Sequence, residues 1–295
     1  MSETITGLIL KGISGFYSVE AADTLLECRA RGLFRKEGIT PLAGDRVKVV
    51  REGSSATITE ILPRKNALIR PPVANLDVLV LVVSLAEPAP NLPIMDRMIA
   101  VAEYKEIEPV LVLNKTDLAD PAPLEELYHK AGFSVYPVCA RSGEKAGRIK
   151  EALSGKTAVF TCNSGAGKSS LLNRLAPELH LATGDISRKL GRGRHTTRSA
   201  TLYPMENGGY WVDTPGFSSL DTMRGEAIRK EELAGCFREF APYRGHCRYA
   251  SCTHVKEEGC AVIEAVTEGK IASSRHASYV LMYEEIKQIR EWERS

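Results

Sequence analysis

A glycine- and serine-rich stretch near the middle of the sequence has the residue types and the spacing that bind phosphate groups. It separates an apolar run typical of a β-strand, residues 158–161, from a helical run, residues 171–175. A turn of this kind directs several backbone N–H groups and the positive end of the helix dipole at one point. Its lysine can reach the outer phosphates, and the next serine can offer its hydroxyl to Mg²⁺. The predicted phosphate-binding residues are Cys162, Asn163, Ser164, Gly165, Ala166, Gly167, Lys168, Ser169 and Ser170.

The first position of this stretch departs from the usual pattern. That pattern begins with a glycine five residues before Gly167, where this chain has Cys162. A small side chain is tolerated there if φ stays negative, because glycine serves mainly to supply backbone freedom. A glycine-rich loop that matches by chance is the alternative. The placement of Gly167, Lys168 and Ser169 between a strand and a helix favours the phosphate-binding loop.

A second polar motif, made of Asn114, Lys115, Thr116 and Asp117, directly follows the apolar run 110–113. In a doubly wound sheet, ligands bind outside the carboxyl ends of the strands. A carboxylate there can accept hydrogen bonds from N1–H and the 2-amino group of guanine, whereas adenine would leave it unpaired at a cost of a few kcal/mol. Alone, Asp117 is equally well explained as a helix N-cap. Together with a phosphate-binding loop in one α/β domain, the motif predicts guanine recognition.

Two further motifs follow the phosphate-binding stretch. Asp213 and Gly216 belong to an Asp-Thr-Pro-Gly turn after the apolar run 209–212. In guanine-nucleotide switches an Asp at this place assists Mg²⁺, and a glycine N–H meets the γ-phosphate. An ordinary turn is the alternative. Upstream, Thr197 or Thr196 can supply a second hydroxyl for Mg²⁺ besides that of Ser169, and we favour Thr197.

The segment around Thr197 is strongly basic. A net charge of +2 is too small to imply a nucleic-acid partner, but the distribution of charge is informative. A flexible basic segment suits phosphate backbones, although most charge runs are only solvated surface. Its place inside a nucleotide-sensing loop favours an RNA contact. The cations are Arg188, Lys189, Arg192, Arg194 and Arg198.

Three cysteines and a histidine lie close together near the C-terminus: Cys247, Cys252, His254 and Cys260. Three thiolates and one imidazole suffice for a closed tetrahedral Zn²⁺ site, which is structural because no position remains for a substrate. Buried free thiols are the alternative, which the dense spacing between polar residues disfavours. The adjacent His246 is not expected to be a ligand. We predict one structural zinc ion.

Length and composition indicate an ordinary multidomain protein of the cytosol. The 295 residues allow two or three domains, and 43% hydrophobic and 26% charged residues are typical of soluble proteins. Apolar runs stay short of the roughly 20 residues that cross a bilayer, and the start lacks the pattern of a secretion signal. Seven cysteines, an odd number, argue against a disulfide framework. The expected compartment is therefore the cytoplasm.

The spacing of apolar residues predicts three regions. Residues 4–70 contain five short β-type runs, which suit an OB-type barrel that either binds oligonucleotides or only packs against its neighbour. Residues 64–72 are predicted to be a linker whose basic side chains stay in water. Strand and helix patterns then alternate, as in a doubly wound α/β domain. Helical patterns at 229–240 and 278–292 flank the cysteine cluster.

The motifs resemble those of the TRAFAC GTPases in a changed order, because the base-reading motif precedes the phosphate-binding loop. Over its whole length the chain is similar to the ribosome-small-subunit-dependent GTPase A family of circularly permuted GTPases. The matching stretches are residues 64–71, 114–117, 165–170, 191–197 and 213–217. The resemblance implies an OB-type barrel at 1–70, a permuted α/β GTPase domain at 71–222 and a helical zinc-binding domain at 223–295.

The resemblance also assigns two further roles. Cys139, Ala140 and Arg141 stand where the family usually has Ser-Ala-Lys, so the backbone N–H of Ala140 is expected to contact the nucleotide. Phe217 occupies the place of the glutamine that orients the attacking water in many GTPases. His195 is therefore expected to be the catalytic residue that positions the water. An RNA contact is the alternative role for His195.

The resulting expectation is a cytoplasmic, monomeric GTPase that acts late in assembly of the small ribosomal subunit. It would bind GTP or GDP with Mg²⁺, contact the rRNA of the subunit without any membrane partner, turn over faster on the subunit and leave after hydrolysis. Two alternatives come from other classes of protein. One is a P-loop ATPase or kinase for a small molecule, and the other is an RNA-binding scaffold with a vestigial nucleotide site.

Overall fold

The structure, a computed structural model, describes residues 3–288 except for residues 23, 54, 178–199 and 214–226. Within these ranges the chain divides into two units. One unit contains residues 3–78, 151–160 and 200–213, and the other contains residues 79–150, 161–177 and 227–288. The phosphate-binding stretch, the base-reading motif and the cysteine cluster all belong to the second unit.

A closed five-stranded barrel forms most of the first unit. Its elements are β1 (Glu3–Ile13), β2 (Phe16–Ala21), β3 (Thr24–Ala30), α1 (Gly32–Lys36), β4 (Arg46–Glu52) and β5 (Ser55–Ile61). The strands follow the order β1-β2-β3-β5-β4, and β4 pairs back onto β1. Closure leaves no free sheet edge. Alternate apolar side chains such as Ile9, Val19 and Ile58 fill the interior, as the pattern of short apolar runs requires. The predicted OB-type barrel is confirmed.

The predicted linker at residues 64–72 is a structured segment, although its basic residues are exposed as predicted. Two short strands, β6 (Ala67–Leu68) and β7 (Val73–Ala74), pair there. Arg64 donates two hydrogen bonds, of 2.7 and 2.8 Å, to the carboxylate of Asp45, which is fully buried. The side chain of Asn66 exchanges two hydrogen bonds of 2.9 Å with the backbone of Leu76. A buried carboxylate needs a cation, and this need draws the segment onto the barrel.

Alternating strands and helices follow the barrel as far as Leu175, as predicted for a doubly wound domain, and an antiparallel pair of strands comes after them. The elements are β8 (Val78–Ser84), α2 (Leu92–Tyr104), β9 (Glu108–Asn114), α3 (Ala122–Lys130), β10 (Ser134–Val138), α4 (Ala146–Ala152), β11 (Lys156–Cys162), α5 (Lys168–Leu175), β12 (Thr201–Pro204) and β13 (Gly209–Asp213). All seven residues of β8 are buried, as expected for a strand covered on both faces.

Within each unit, parallel pairing brings the carboxyl ends of neighbouring strands to the same level. In the first unit β11, β13, β12 and β1 lie side by side, and β11 runs parallel to β13 with Val159 opposite Val212. In the second unit the order is β10, β9, β8, and parallel pairing sets Val138 opposite Asn114. The loops that leave β9 and β10 therefore start at the same level.

The C-terminal part differs from prediction in its first helix. A short helix α6 (Lys230–Leu233) gives way to 3₁₀ turns at Ala234–Cys236 and Arg238–Phe240, so the continuous helix predicted at 229–240 is wrong. Phe237 between the turns has an extended backbone, and this break lets both Phe237 and Phe240 pack on Tyr279 at ring distances of 5.3 and 5.0 Å. Burial of three aromatic rings outweighs local helix propensity.

Two longer helices complete this part, α7 (Ala261–Thr267) and α8 (Ser273–Gln288). The predicted helix at 278–292 thus begins five residues earlier, and residues 289–292 lie outside the described residues. None of the helices in the described part of the chain has the length and apolar character needed to span a bilayer.

A buried cluster of charges joins α8 to α2 within the second unit. The guanidinium of Arg275 donates to Asp96 at 2.8 Å and to Glu239 at 2.7 Å, and the hydroxyl of Tyr128 donates to Asp96 at 2.9 Å. The side chains of Arg275 and Asp96 are each only 1% exposed. The guanidinium also lies 4.6 Å from the ring centroid of Phe237. These charges are paired with one another because water does not reach them.

Candidate nucleotide-binding site and metal centre

The phosphate-binding stretch forms a tight turn between β11 and α5. Gly165 and Gly167 have φ values of +85° and +95°, which side chains rarely allow. A Cβ atom at Gly167 would lie 2.2 Å from the side-chain nitrogen of Asn114, so only glycine fits there. The turn delivers Lys168 and Ser169 to the first turn of α5, as the sequence predicts.

Asn114 ties the phosphate-binding loop to the loop after β10. Its Nδ2 donates to the carbonyl oxygen of Ala166 at 2.8 Å, and its Oδ1 accepts from the backbone N–H of Ala140 at 2.9 Å. The residue is the last of β9 and is 3% exposed. One buried amide thus holds two loops that the sequence predicts to bind opposite ends of a nucleotide.

The carboxylate of Asp117 lies at the surface beside these loops. Its Oδ1 accepts a hydrogen bond from the thiol of Cys139 at 3.3 Å. The N-cap alternative for Asp117 is wrong, because α3 begins at Ala122 with Pro121 at the cap position. Lys115 has a left-handed backbone, and its ammonium group donates to the carbonyl oxygen of Glu87. Asp117 is therefore left for a role other than helix capping.

Cys162 occupies the position where glycine is usual. It is the final residue of β11 and has the extended backbone of a strand. Burial raises the pKa of its thiol, an effect that the nearby ammonium of Lys168 opposes. The departure from glycine thus places a small, neutral, buried side chain under the phosphate-binding loop without strain in the backbone.

Several predicted site residues lie outside the described residues. His195, Thr196, Thr197 and the basic segment at 188–198 fall within the range 178–199, and Gly216 and Phe217 fall within 214–226. Only the backbone of Asp213 is described, at the end of β13. Their assignments remain predictions.

Arg174 is a residue of the site that the sequence reasoning missed. It lies in the last turn of α5 and donates to the carbonyl oxygens of Ala140 and Arg141. A basic residue in the last turn of a helix is common, because it complements the helix dipole. The sequence therefore carries no signal that would have distinguished it.

The four predicted zinc ligands form one cluster. The ligand atoms of Cys247, Cys252, His254 and Cys260 all lie within 4.8 Å of one another. His254 Nδ1 is 3.5 Å from the sulfur of Cys247 and 3.4 Å from that of Cys260, and these two sulfurs are 3.9 Å apart. Such separations match the edges of a tetrahedron with metal–sulfur bonds of about 2.3 Å. The donor set and the geometry fit zinc.

Surrounding groups fix the shape of this cluster. Burial lowers the pKa of His254, which favours the neutral imidazole that binds a metal. Partial burial of Glu257 is outweighed by hydrogen bonds from the hydroxyl and backbone of Thr253, and these lower its pKa to about 2. Tyr279 donates to the carbonyl oxygen of Thr253 at 2.6 Å, and His276 donates to that of His254 at 2.8 Å. The ligand loop is thereby held in place on α8.

The fold and the site together define a class of protein. A phosphate-binding loop follows a strand of a doubly wound sheet, and a base-reading motif at the end of another strand is tied to it by Asn114. The base-reading motif comes first in the chain. These features define a P-loop nucleotide-binding protein of the circularly permuted kind.

Comparison with known families identifies the family to which the chain belongs. The family model RsgA GTPase matches residues 61–223, and the model RsgA N-terminal domain matches residues 6–58. The chain belongs to the RsgA GTPase family and is therefore a GTPase. This membership is the result predicted from the motifs, and it contradicts the alternative of a P-loop ATPase or kinase.

Individual relatives match over nearly their full length. A small ribosomal subunit biogenesis GTPase RsgA from Caldanaerobacter subterraneus subsp. tengcongensis is 46% identical, with 97% of each chain covered. That from Moorella thermoacetica is 43% identical, covering 95% of this chain and 97% of the relative. The crystal structure of YjeQ from Thermotoga maritima has a TM-score of 0.84 at 35% identity, covering 98% of this chain and 100% of that one. YloQ, a circularly permuted GTPase, has a TM-score of 0.80 at 34% identity, covering 98% and 97%.

Proposed function

We propose that this GTPase acts late in assembly of the small ribosomal subunit, binds the rRNA of the subunit and leaves after GTP hydrolysis. The names of the relatives support a role in biogenesis of that subunit. The observation that carries the nucleotide part of the proposal is the double hydrogen bond of Asn114, which joins the loops for phosphate and base. The protein acts as a cytoplasmic monomer.

Guanine would be bound between the loops after β9 and β10. Asp117 accepts hydrogen bonds from N1–H and the 2-amino group, and Cys139 orients its carboxylate. Asn114, Lys115 and Thr116 shape the loop. The N–H of Ala140, which donates to Asn114, would share its hydrogen with O6 of guanine. Guanine presents these donors and this acceptor on one edge, and adenine does not.

The phosphates would lie over the turn between β11 and α5. Backbone N–H groups of the turn, the helix dipole and the ammonium of Lys168 stabilise their charge. The residues of this cradle are Cys162, Asn163, Ser164, Gly165, Ala166, Gly167, Lys168, Ser169 and Ser170.

Mg²⁺ would be held by the hydroxyls of Ser169 and Thr197 with assistance from Asp213, while the N–H of Gly216 meets the γ-phosphate. The ion neutralises charge that develops on the phosphate oxygens. Ser169 lies in the first turn of α5, where its hydroxyl can face the cradle. His195 would position the attacking water when the protein is bound to the subunit, since the side chain of Phe217 has no hydrogen-bonding group.

The barrel would contact rRNA through its outer surface. Phe16 is 41% exposed near the turn between β1 and β2, and the guanidinium of Arg29 lies 4.7 Å from the centroid of its ring. An exposed ring beside a cation can stack on an RNA base and pair with phosphate. We assign residues 1–70 to this barrel, 71–222 to the GTPase domain and 223–295 to the zinc domain.

The proposal predicts that small ribosomal subunits raise GTP turnover by at least about tenfold, because correct placement of the attacking water lowers the barrier to hydrolysis. The measurement is phosphate release at saturating GTP, with and without purified subunits. The His195→Ala variant is expected to bind GTP normally and to lose the stimulation. His129→Ala, which alters an exposed histidine on α3, is the control. Absence of stimulation in the unaltered protein would contradict the proposed role, and full stimulation of His195→Ala would contradict the role of His195.

Zinc is expected at one ion per chain, bound by Cys247, Cys252, His254 and Cys260. The Cys260→Ser variant should contain less metal and should be cut by protease between residues 241 and 260, because the ligand loop has little core of its own. Metal content by mass spectrometry and limited proteolysis provide the measurements. Cys236→Ser is the control, because Cys236 is buried in the same core but lies outside the cluster. Protein that is free of zinc yet equally resistant to protease would refute a structural metal.

A further inference from the structure

Arg174 connects the helix of the phosphate-binding loop to the loop after β10. Its Nε donates to the carbonyl oxygen of Ala140 at 3.4 Å, and its Nη2 donates to that of Arg141 at 2.6 Å. Lys168 and Arg174 belong to the same helix, α5, which begins at the phosphate-binding loop. One side chain of α5, the helix that follows the phosphate-binding loop, thus binds two consecutive carbonyl groups of the loop after β10.

The loop that Arg174 binds is a tight turn. The N–H of Gly143 donates to the carbonyl oxygen of Cys139 at 2.8 Å, and the φ value of Gly143 is +86°. The aliphatic part of Arg174 covers this turn, since a Cβ atom on Gly143 would lie 3.7 Å from Arg174 Cδ. The arginine therefore contacts the turn with both its stem and its guanidinium.

These contacts determine which way the peptide groups of the turn face. The C=O and N–H of a trans peptide point in opposite directions. With the carbonyl of Ala140 held on α5, the N–H of Arg141 in the same peptide group points away from α5. The preceding N–H, that of Ala140, donates to Asn114. Arg174 thus orients the peptide groups that carry the N–H of Arg141 and of Ser142, while Asn114 holds the N–H of Ala140.

Asn114, Ala140 and Arg174 complete a ring of hydrogen bonds. The ring runs from Ala166 in the phosphate-binding loop to Asn114, on to Ala140, then to Arg174 and back along α5. Arg174 thus adds a second side-chain link between the loop after β10 and this ring, besides the one through Asn114. Hydrogen bonds that involve a charged donor are stronger than neutral ones. The bonds from the guanidinium of Arg174 are therefore of a stronger type than those of the neutral Asn114 amide.

We propose that Arg174 is a positioning residue for base recognition, which holds the turn at 139–143 so that its amides meet O6 of guanine. The residue acts through the turn and does not touch the nucleotide. This inference rests on the proposed guanine site. It assigns part of the selectivity for guanine to α5, the helix that follows the phosphate-binding loop.

The test compares two nucleotides in the Arg174→Ala variant. GDP and 6-thio-GDP share N1–H and the 2-amino group, but sulfur is a much weaker acceptor than O6. We expect Arg174→Ala to weaken GDP binding about fivefold, the loss of one good hydrogen bond, and to leave 6-thio-GDP binding nearly unchanged. Arg174→Lys should restore part of the difference, because its ammonium can reach one carbonyl. Arg148→Ala, an exposed arginine on α4, is the matched control.

The outcomes separate the inference from the proposed function. If the unaltered protein binds GDP no better than ADP, the guanine site is wrong and the inference falls with it. If the unaltered protein prefers GDP but Arg174→Ala leaves GDP binding unchanged, only the inference is wrong. Equal weakening of GDP and 6-thio-GDP would also overturn the inference, because it would show a general effect on the fold.

Discussion

The Asp117→Asn variant is expected to bind xanthosine diphosphate in preference to GDP. Xanthine carries an oxygen where guanine carries its 2-amino group. An Asn amide can donate to that oxygen and accept from N1–H, whereas against guanine its NH₂ group would face another donor. A buried mismatch of hydrogen-bonding groups costs a few kcal/mol, so the preference should change by about 100-fold or more. Dissociation constants for both nucleotides, measured by titration calorimetry, provide the test.

A nearby carboxylate supplies the control for this experiment. Asp120 is also exposed, and it accepts a hydrogen bond from the N–H of Ala122 at the start of α3. Asn at that position can make the same bond, so Asp120→Asn should leave nucleotide preference unaltered. An Asp117→Asn variant that keeps its preference for GDP would show that another group reads the base.

The second large effect concerns the buried charges between α2 and α8. Replacement of Arg275 by methionine leaves the carboxylates of Asp96 and Glu239 buried without a cation. Loss of one partner from a buried ion pair costs about 3–5 kcal/mol of stability. We expect the midpoint of urea unfolding to fall accordingly for the transition of the second unit.

Two comparisons make this prediction specific. Arg97→Met removes an exposed ion pair with Glu285 between the same two helices and should cost at most about 1 kcal/mol. Combined replacement of Arg275, Asp96 and Glu239 by apolar residues of similar volume should recover most of the loss, because no unpaired charge remains. A loss for Arg275→Met no larger than that for Arg97→Met would show that the buried carboxylates are neutral or hydrated.

Much of the fold and site could be predicted because the relevant signals are local. The alternation of apolar residues within each barrel strand marks positions such as Ile9 and Val19 as interior. The phosphate-binding loop needs only the chemistry and spacing of nine consecutive residues. The zinc cluster likewise lies within fourteen residues, from Cys247 to Cys260.

The failures share a different cause, which is dependence on a distant partner. Arg64 is exposed, as expected, but its pairing with the buried Asp45 nineteen residues earlier was missed. Phe237 interrupts a helical pattern in order to reach Tyr279. Arg174 has the same local pattern as many helix-terminal arginines. A pattern in consecutive residues contains no information about such partners.

The pairing of Asp96 with Arg275 also has a consequence for how the chain is made. The two residues are 179 positions apart. At a synthesis rate of about 5–20 residues per second, Asp96 leaves the translating ribosome about 9–36 s before Arg275 exists. Throughout that interval the nascent α2 carries a carboxylate without its counter-charge and cannot settle into its final environment. A chain cut short before Arg275 would keep this carboxylate solvated, so the α2 face that carries Asp96 could not be buried.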